Sequence, residues 1–109
     1  GMHEAQKIVD ALSAKDYPVI IERNGEIFIA RHDLKAKDEV LVLLTRNSSA
    51  RGDFLQSKAG DSNGSRFQRN LREMVSDKLI GVAANGEYFI MPRGQARVAE
   101  KSLLTYKPC

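Results

Sequence analysis

Three arginines follow one another at a spacing of three residues in the second half of the chain: Arg66, Arg69 and Arg72. The guanidinium group presents a planar fork of donors, which binds a phosphate or the edge of a guanine through two parallel hydrogen bonds. Two carboxamide residues, Gln68 and Asn70, lie between the arginines, and an amide can bind adenine in the same two-point manner. The segment therefore carries side chains suited to contacting nucleic acid.

The same segment also has a simpler interpretation. Arg69 and Glu73 stand four residues apart, so on a helix they would form an ordinary ion pair on a solvated face. Ser65 favours the first interpretation, because a serine near the N-terminus of a helix could hold a phosphate there. The residues alone leave both interpretations open.

Further basic residues surround this segment. Arg93 and Arg97 are four residues apart, so a short helix would place both on one side. Lys101 follows them, and Arg51 precedes the three arginines in the sequence. Residues 51–109 hold ten basic and six acidic residues, whereas residues 1–50 hold seven and eight. If the basic residues neutralise about four to six phosphates, binding to DNA will depend steeply on salt.

No arrangement of residues predicts catalysis. The chain has no glycine-rich phosphate loop and no nucleophile elbow, and its histidines and cysteine, His3, His32 and Cys109, form no close pairs of metal ligands. A nuclease metal site would require scattered aspartates to converge: Asp10, Asp16, Asp33 and Asp38. We therefore expect no enzyme activity, no metal and no cofactor, and no pattern indicates a small-molecule effector.

Length and composition predict one small domain. The chain has 109 residues, of which 42% are hydrophobic and 28% charged, as in many single soluble domains. Its only cysteine, Cys109, has no partner for an intrachain disulfide, which favours a reducing compartment. No run of consecutive apolar residues approaches 18, the length that a membrane span needs. The N-terminal residues also lack the basic and then apolar pattern of a signal peptide, so we expect a cytoplasmic protein without a membrane span.

The three arginines belong to the clearest predicted helix, from Ser65 to about Leu79. Its apolar residues fall within about 100° of each other on a helical wheel, which predicts a buried stripe: Phe67, Leu71, Met74 and Val75. Arg69 and Arg72 lie opposite this stripe, and Arg66 lies at its margin. Ser65 is the expected N-cap.

Two shorter helices are predicted before this one. The apolar run Val40 to Leu44 favours a helix over Asp38 to Arg46, ended by Asn47-Ser48-Ser49. A second helix is expected over Ala50 to Ala59, with Gly60 as its C-cap.

Two β-hairpins are predicted, over Val19 to Ala30 and over Val82 to Met91. Each turns at an Asn-Gly pair, Asn24-Gly25 and Asn85-Gly86, and this pair favours a type I′ turn, in which both central residues have positive φ. The two hairpins share a six-residue pattern, for which common hairpin chemistry is a better explanation than duplication.

The segments outside these hairpins have helical features. The apolar residues of residues 3–14 recur at spacings of three and four, which predicts one apolar helix face: Ala5, Ile8, Val9 and Leu12. Pro92 and Gly94 are expected to stop the second hairpin, and Gln95 to Leu104 to form a final short helix or an extended arm.

From Lys37 to Val98 the predicted order is helix, short helix, loop, basic helix and hairpin. The segment RFQRNLREMVSDKLIGVAANGEYFIMPRGQARVAE resembles the winged helix-turn-helix superfamily, with Leu79-Ile80 at the helix exit, a wing turning at Asn85-Gly86, and a closing pattern at Tyr88, Pro92 and Gly94. The resemblance implies an α+β fold whose third helix enters the major groove of DNA. Three features depart from the pattern: the loop 60–64 exceeds the usual three or four residues, the first 36 residues lie outside the pattern, and the wing tip has no basic residue.

We therefore expect an N-terminal extension, a helix plus a β-hairpin, over residues 1–36 and a winged-helix domain over residues 37–109. The resemblance implies a protein that binds double-stranded DNA, with transcriptional regulation as its role, through seven residues: Ser65, Arg66, Gln68, Arg69, Arg72, Arg93 and Arg97. The alternative is a winged-helix adaptor that binds another protein. A homodimer is expected, with the predicted helix 3–14 at its interface, because a single domain making few base contacts has limited specificity.

Overall fold

The computed structural model describes residues 19–105. Over this range the chain forms four helices and two small antiparallel sheets, an α+β arrangement as expected. The order is β1 (Ile20–Arg23), β2 (Glu26–Ile29), α1 (Ala36–Asn47), β3 (Ser49–Ala50), α2 (Gly52–Ala59), α3 (Gly64–Ser76), β4 (Ile80–Val82), β5 (Tyr88–Ile90) and α4 (Pro92–Glu100). The predicted helix 3–14 lies outside the described residues, as do His3, Asp10, Asp16 and Cys109.

The first hairpin, β1–β2, forms as predicted. Asn24 and Gly25 both have positive φ, 54° and 80°, so the two-residue turn matches the right-handed twist of the strands. Ile20 pairs with Ile29, and this pair lies on the same side of the hairpin as the buried Ile27. The hairpin thereby packs its apolar side against the rest of the chain.

The second hairpin, β4–β5, turns at the predicted place but with different geometry. Of its Asn-Gly pair only Gly86 has positive φ, 87°, and its N–H donates to the carbonyl of Ala83 at 2.9 Å. The side chain of Asn85 accepts a hydrogen bond from the N–H of Glu87, which closes a longer loop than a type I′ turn. The first strand begins at Ile80 and not at Val82, because Ile80 is buried and pairs with Ile90.

A third strand, β3, was not predicted. Its two residues pair with β5, which gives a three-stranded sheet in the order β3-β5-β4. The strand uses Ala50, which the sequence assigns to the start of α2, so that helix begins later, at Gly52. The predicted C-cap is confirmed: Gly60 has φ 70°, and its N–H donates to the carbonyls of Gln56 and Ser57.

The bounds of α3 and α4 differ from the prediction. The N-cap of α3 is Asn63, whose side chain accepts a hydrogen bond from the N–H of Arg66, so Ser65 lies inside the helix and is not the cap. Only four residues, 60–63, therefore connect α2 to α3. Helix α3 ends at Ser76, since Lys78 adopts positive φ. Strand β5 ends at Ile90, before Pro92 as expected, but Pro92 is also the first residue of α4, so this helix begins earlier than the predicted Gln95.

One hydrophobic core joins the helices, the second sheet and the first hairpin. Its largest fully buried side chains come mainly from α1, α2 and α3: Phe67, Leu41, Leu43, Leu44, Leu55, Leu71 and Met74. Val19 and Ile27 belong to the same core, so the hairpin packs with the helices. None of the four described helices is long and apolar enough to cross a lipid bilayer.

The end of the described chain is tied to its beginning. The N–H of Val19 donates to the carbonyl of Leu104 at 3.3 Å. The guanidinium of Arg31 donates to the carbonyls of Ser102 and Thr105 at 2.9 and 3.1 Å, and also pairs with Asp33. The segment 102–105 is thus held against the first hairpin.

Candidate nucleic-acid interface

Helix α3 buries the face that its sequence pattern predicts. Phe67, Leu71 and Met74 have no exposed surface, and Val75 is half-buried at the edge. The opposite face is exposed and spans about 100° of the helix circumference: Ser65, Gln68, Arg69, Arg72 and Ser76. Asn70 is half-buried, which separates it from the exposed face.

Arg69 and Arg72 are exposed on this face. Within residues 19–105, neither side chain forms a hydrogen bond or an ion pair. The two residues are separated by about 4.5 Å along the helix axis. Both guanidinium groups are therefore free, over the described part of the chain, to contact a ligand.

Glu73 does not pair with Arg69, as the simpler interpretation of α3 requires. Its carboxylate lies 2.8 Å from Nζ of Lys37, at the start of α1. This hydrogen bond is the main reason that the pKa of Glu73 is lowered, and the charge of Arg69 adds to the effect. The carboxylate nearest to the exposed face is thus engaged by another helix.

Arg66 has a local partner. One of its guanidinium nitrogens lies 2.9 Å from Oδ1 of Asp61, and this contact lowers the pKa of that carboxyl. The same oxygen accepts a hydrogen bond from the N–H of Asn63. Arg66 therefore stabilises the α2–α3 loop, although its side chain remains 54% exposed.

The start of α2 lies beside the exposed face of α3. A Cβ added to Gly52 would lie 3.6 Å from Nε2 of Gln68 and 3.5 Å from the ring of Tyr88. Arg51, the exposed N-cap residue of α2, directly precedes Gly52. The tertiary structure thus brings Gly52, Gln68 and Tyr88 together, although these three residues are distant in the sequence.

Arg93 and Arg97 have different environments. Arg93 is exposed and donates to the carbonyl of Asp77 at 3.2 Å, just after the end of α3. Arg97 donates from Nε to Oδ1 of Asp38 at 2.8 Å, and the side chain of Asp38 is only 7% exposed. Arg97 is thus engaged in a contact between α4 and α1, whereas most donors of Arg93 remain exposed.

Glu39 was not singled out by its position in the sequence. It is half-buried on α1, and burial followed by the nearby charge of Asp61 raises its pKa from the ordinary value of 4.5 to about 7. A carboxyl that is partly neutral at pH 7 therefore lies near the α2–α3 loop.

Beyond α3, the loop between β4 and β5 presents few groups to a polyanion. Ala84 and Asn85 are exposed at its tip, and Glu87 is held by a hydrogen bond from the hydroxyl of Ser49 at 2.7 Å. Lys78, between α3 and β4, is exposed, as is Lys101 after α4. In the described range, no group of three or more His, Cys, Asp or Glu side chains is placed to hold a metal ion.

Comparison with known proteins identifies no relative: no family model, curated protein or solved structure matches this chain.

Proposed function

We propose that this protein binds double-stranded DNA as a winged-helix domain, with α3 in the major groove and transcriptional regulation as its role. The observation that carries the proposal is the exposed face of α3, where Gln68, Arg69 and Arg72 form no side-chain hydrogen bond or ion pair with another of residues 19–105. The charged neighbours on the same helix, Arg66 and Glu73, are paired elsewhere. A helix with such a face offers donors to both phosphates and base edges.

The order of elements supports the same proposal. A helix, a short strand, two helices joined by four residues, and a hairpin occur in the order of a winged helix-turn-helix. The helix proposed to enter the groove is anchored by a fully buried apolar face, so its exposed side chains are held on a rigid support.

Four exposed arginines and one amide residue carry the proposed contacts. Arg69 and Arg72 bind guanine or phosphate, and Gln68 contacts a base edge. Arg51, before α2, and Arg93, on α4, bind phosphates. Arg97 is left out, because its contact with Asp38 serves the packing of α4 on α1. The proposed role involves binding without a catalytic step.

The experiment is a fluorescence-anisotropy titration of a random-sequence duplex pool with the wild-type protein, Arg69→Ala and Arg72→Ala. Each substitution should weaken binding by about 1–3 kcal/mol and leave the free energy of unfolding within about 0.5 kcal/mol. Arg23→Ala is the matched control, because it removes the same charge from an exposed position on β1. If both α3 variants bind as tightly as the wild type and the control, α3 is not the DNA-binding helix.

The alternative function, an adaptor that binds another protein, is favoured by one observation. Ile21 and Phe28 pair across the outward side of the first hairpin and are 36% and 51% exposed. Exposed apolar side chains of this size are typical of protein contacts. Absence of binding to duplex DNA at low salt would favour the adaptor.

A further inference from the structure

The first hairpin has an open edge along β1. Within residues 19–105, β1 pairs with no strand other than β2, and β2 packs against α2, where Lys58 pairs with Glu26. An open strand presents a row of unpaired N–H and C=O groups, to which another strand can be added. A proline, a lysine or a bulge often protects such an edge, and none of these occurs between Ile20 and Arg23.

The register of the hairpin identifies the backbone groups on this edge. The N–H of Ala30 donates to the carbonyl of Val19 at 2.7 Å, so these two residues form a hydrogen-bonded pair. Hydrogen-bonded pairs occur at every second position of an antiparallel ladder, which makes Ile21 the next residue of β1 that is bonded to β2. The backbone groups of Ile20 and Glu22 therefore point away from β2, and within residues 19–105 they have no hydrogen-bond partner.

The outward side of the same strand is apolar beside these groups. Ile21 and Phe28 pair across the hairpin, and both side chains are exposed. The side chain of Glu22 points to the opposite side of the hairpin, where its carboxylate lies 3.4 Å from a guanidinium nitrogen of Arg46. The edge of β1 thus combines unpaired backbone groups with an exposed apolar pair.

We propose that β1 pairs antiparallel with β1 of a second copy of this chain, around a two-fold axis that passes beside Ile21. In this register Ile20 faces Glu22 of the second copy, and each of the two such pairs exchanges two backbone hydrogen bonds. Ile21 faces Ile21 of the second copy with their Cα atoms about 4.5 Å apart, so their side chains are in contact. Phe28 extends the apolar row at both ends, and the two hairpins form one four-stranded sheet.

The faces of the sheet and the charges select this register. A two-fold axis perpendicular to the sheet keeps the outward sides of both copies on the same side, so only residues of the same face can lie opposite each other. An axis at Glu22 would place two carboxylates directly opposite one another, which is destabilising. An axis at Ile20 would require an N–H from residue 18, which is a proline. The axis at Ile21 avoids both problems.

Self-complementarity favours a second copy over a different protein. The same residues of β1 supply both halves of the contact, and a two-fold contact of this kind closes at two copies. The contact is small beside the roughly 1,600 Å² of a standard interface, so we expect the dimer to form reversibly at high micromolar concentration.

This interface differs from the one expected from the sequence, which assigns the dimer to the predicted helix 3–14. It also goes beyond the proposed function, because no residue of α3 belongs to it. Dimerisation and DNA binding can therefore succeed or fail separately.

The direct test is disulfide cross-linking of Ile21→Cys in full-length protein that also carries Cys109→Ser, so that each chain has a single thiol. The expected Cα separation of about 4.5 Å lies within the range that a disulfide spans. Arg23→Cys in the same background is the matched control, since it lies on the same outward side but about 14 Å from its counterpart in the second copy. Under mild oxidation Ile21→Cys should form the cross-linked dimer about tenfold faster than Arg23→Cys.

Two results of this experiment would overturn the proposal. Equal rates for the two variants would mean that the thiols meet by random collision. Absence of a cross-linked dimer in Ile21→Cys would exclude the pairing of β1 with itself and leave its edge to another segment of the chain or to a different protein.

Sedimentation velocity over a concentration series provides the second test. Ile21→Lys places two ammonium groups opposite each other across the axis, so this variant should remain monomeric. Val82→Lys makes a similar change at an exposed position of β4 and should dimerise as the wild type does. The urea midpoint of each variant checks that both fold. If the wild type is monomeric throughout, or if Ile21→Lys dimerises as well as Val82→Lys, β1 is not the interface.

Discussion

The five arginines between residues 66 and 97 differ in what their guanidinium groups contact. Arg66 pairs with a loop carboxylate, Arg97 with a buried aspartate and Arg93 with a carbonyl at the end of α3. Arg69 and Arg72 have no such partner within residues 19–105. An arginine that is already paired gives up an internal contact when it binds a phosphate, so the unpaired ones are better suited to DNA.

Replacing Arg97 tests whether its function is structural. Arg97→Ala leaves the buried carboxylate of Asp38 without its partner, so the free energy of unfolding in urea should fall by about 2–3 kcal/mol. Arg93→Ala, at an exposed position, should change it by less than about 0.5 kcal/mol. If Arg97→Ala instead weakens DNA binding and leaves the free energy of unfolding unchanged, Arg97 contacts phosphate, as the sequence predicts.

Glu39 predicts a pH dependence of stability. Its pKa in the folded protein, about 7, lies above its ordinary value of 4.5. The folded state therefore holds this proton more tightly, and the corresponding stability is present below pH 4.5 and lost as the pH rises through 7.

Glu39→Gln removes this titration. At pH 8 the variant should be more stable than the wild type by about 1 kcal/mol, a value reduced for solvent screening at a half-buried group. At pH 4 the two proteins should unfold at the same urea concentration. If the free energies of unfolding of the variant and the wild type differ by the same amount at pH 4 and at pH 8, the Glu39 carboxyl does not titrate in this range.

At the scale of elements, the position of α3 depends on how it begins and on what it packs against. Its start is set by Asn63, and Lys37 connects it to α1 through Glu73. Helix α4 packs closely against the segment after α3: a Cβ on Gly94 of α4 would lie 2.2 Å from the carbonyl oxygen of Leu79, so only glycine fits. These contacts set the orientation of the exposed arginines.

The helix start gives a direct test. Asn63→Ala removes the acceptor for the N–H of Arg66 and should lower the free energy of unfolding by about 1 kcal/mol. Ser65→Ala, inside the first turn, should have an effect below about 0.5 kcal/mol. If Ser65→Ala lowers the free energy of unfolding more than Asn63→Ala does, in thermal or urea unfolding, the N-cap of α3 is Ser65.

At the scale of the whole molecule, the proposed interface combines residues from three parts of the chain. Arg51 precedes α2, Arg69 and Arg72 lie on α3, and Arg93 lies on α4. The shared core holds these elements together, and we propose that the four charges form one DNA-binding surface.

The salt dependence of DNA binding measures the number of charges that contact phosphate. Four arginines in contact predict a slope of log K against log salt of about −4. Arg93→Ala should reduce its magnitude by about one, whereas Arg97→Ala should leave it unchanged. A wild-type slope near zero would argue against binding through this surface.

Features that depend on neighbouring residues could be predicted from the amino-acid sequence. Asn24-Gly25 predicts its turn because both residues tolerate positive φ, and Gly60 predicts a helix end for the same reason. The buried stripe of α3 follows from helical periodicity. The exposure of Arg69 and Arg72 was predictable on the same ground.

Features that depend on residues distant in the sequence could not be predicted and are seen only in the folded chain. Strand β3 is too short to show a pattern and exists because β5 pairs with it. Glu73 pairs with Lys37 and not with its helical neighbour Arg69. Arg97 and Asp38 are 59 residues apart, and nothing near either one in the sequence indicates their contact. These pairs form because packing of the helices and strands brings residues that are distant in the sequence close together in space.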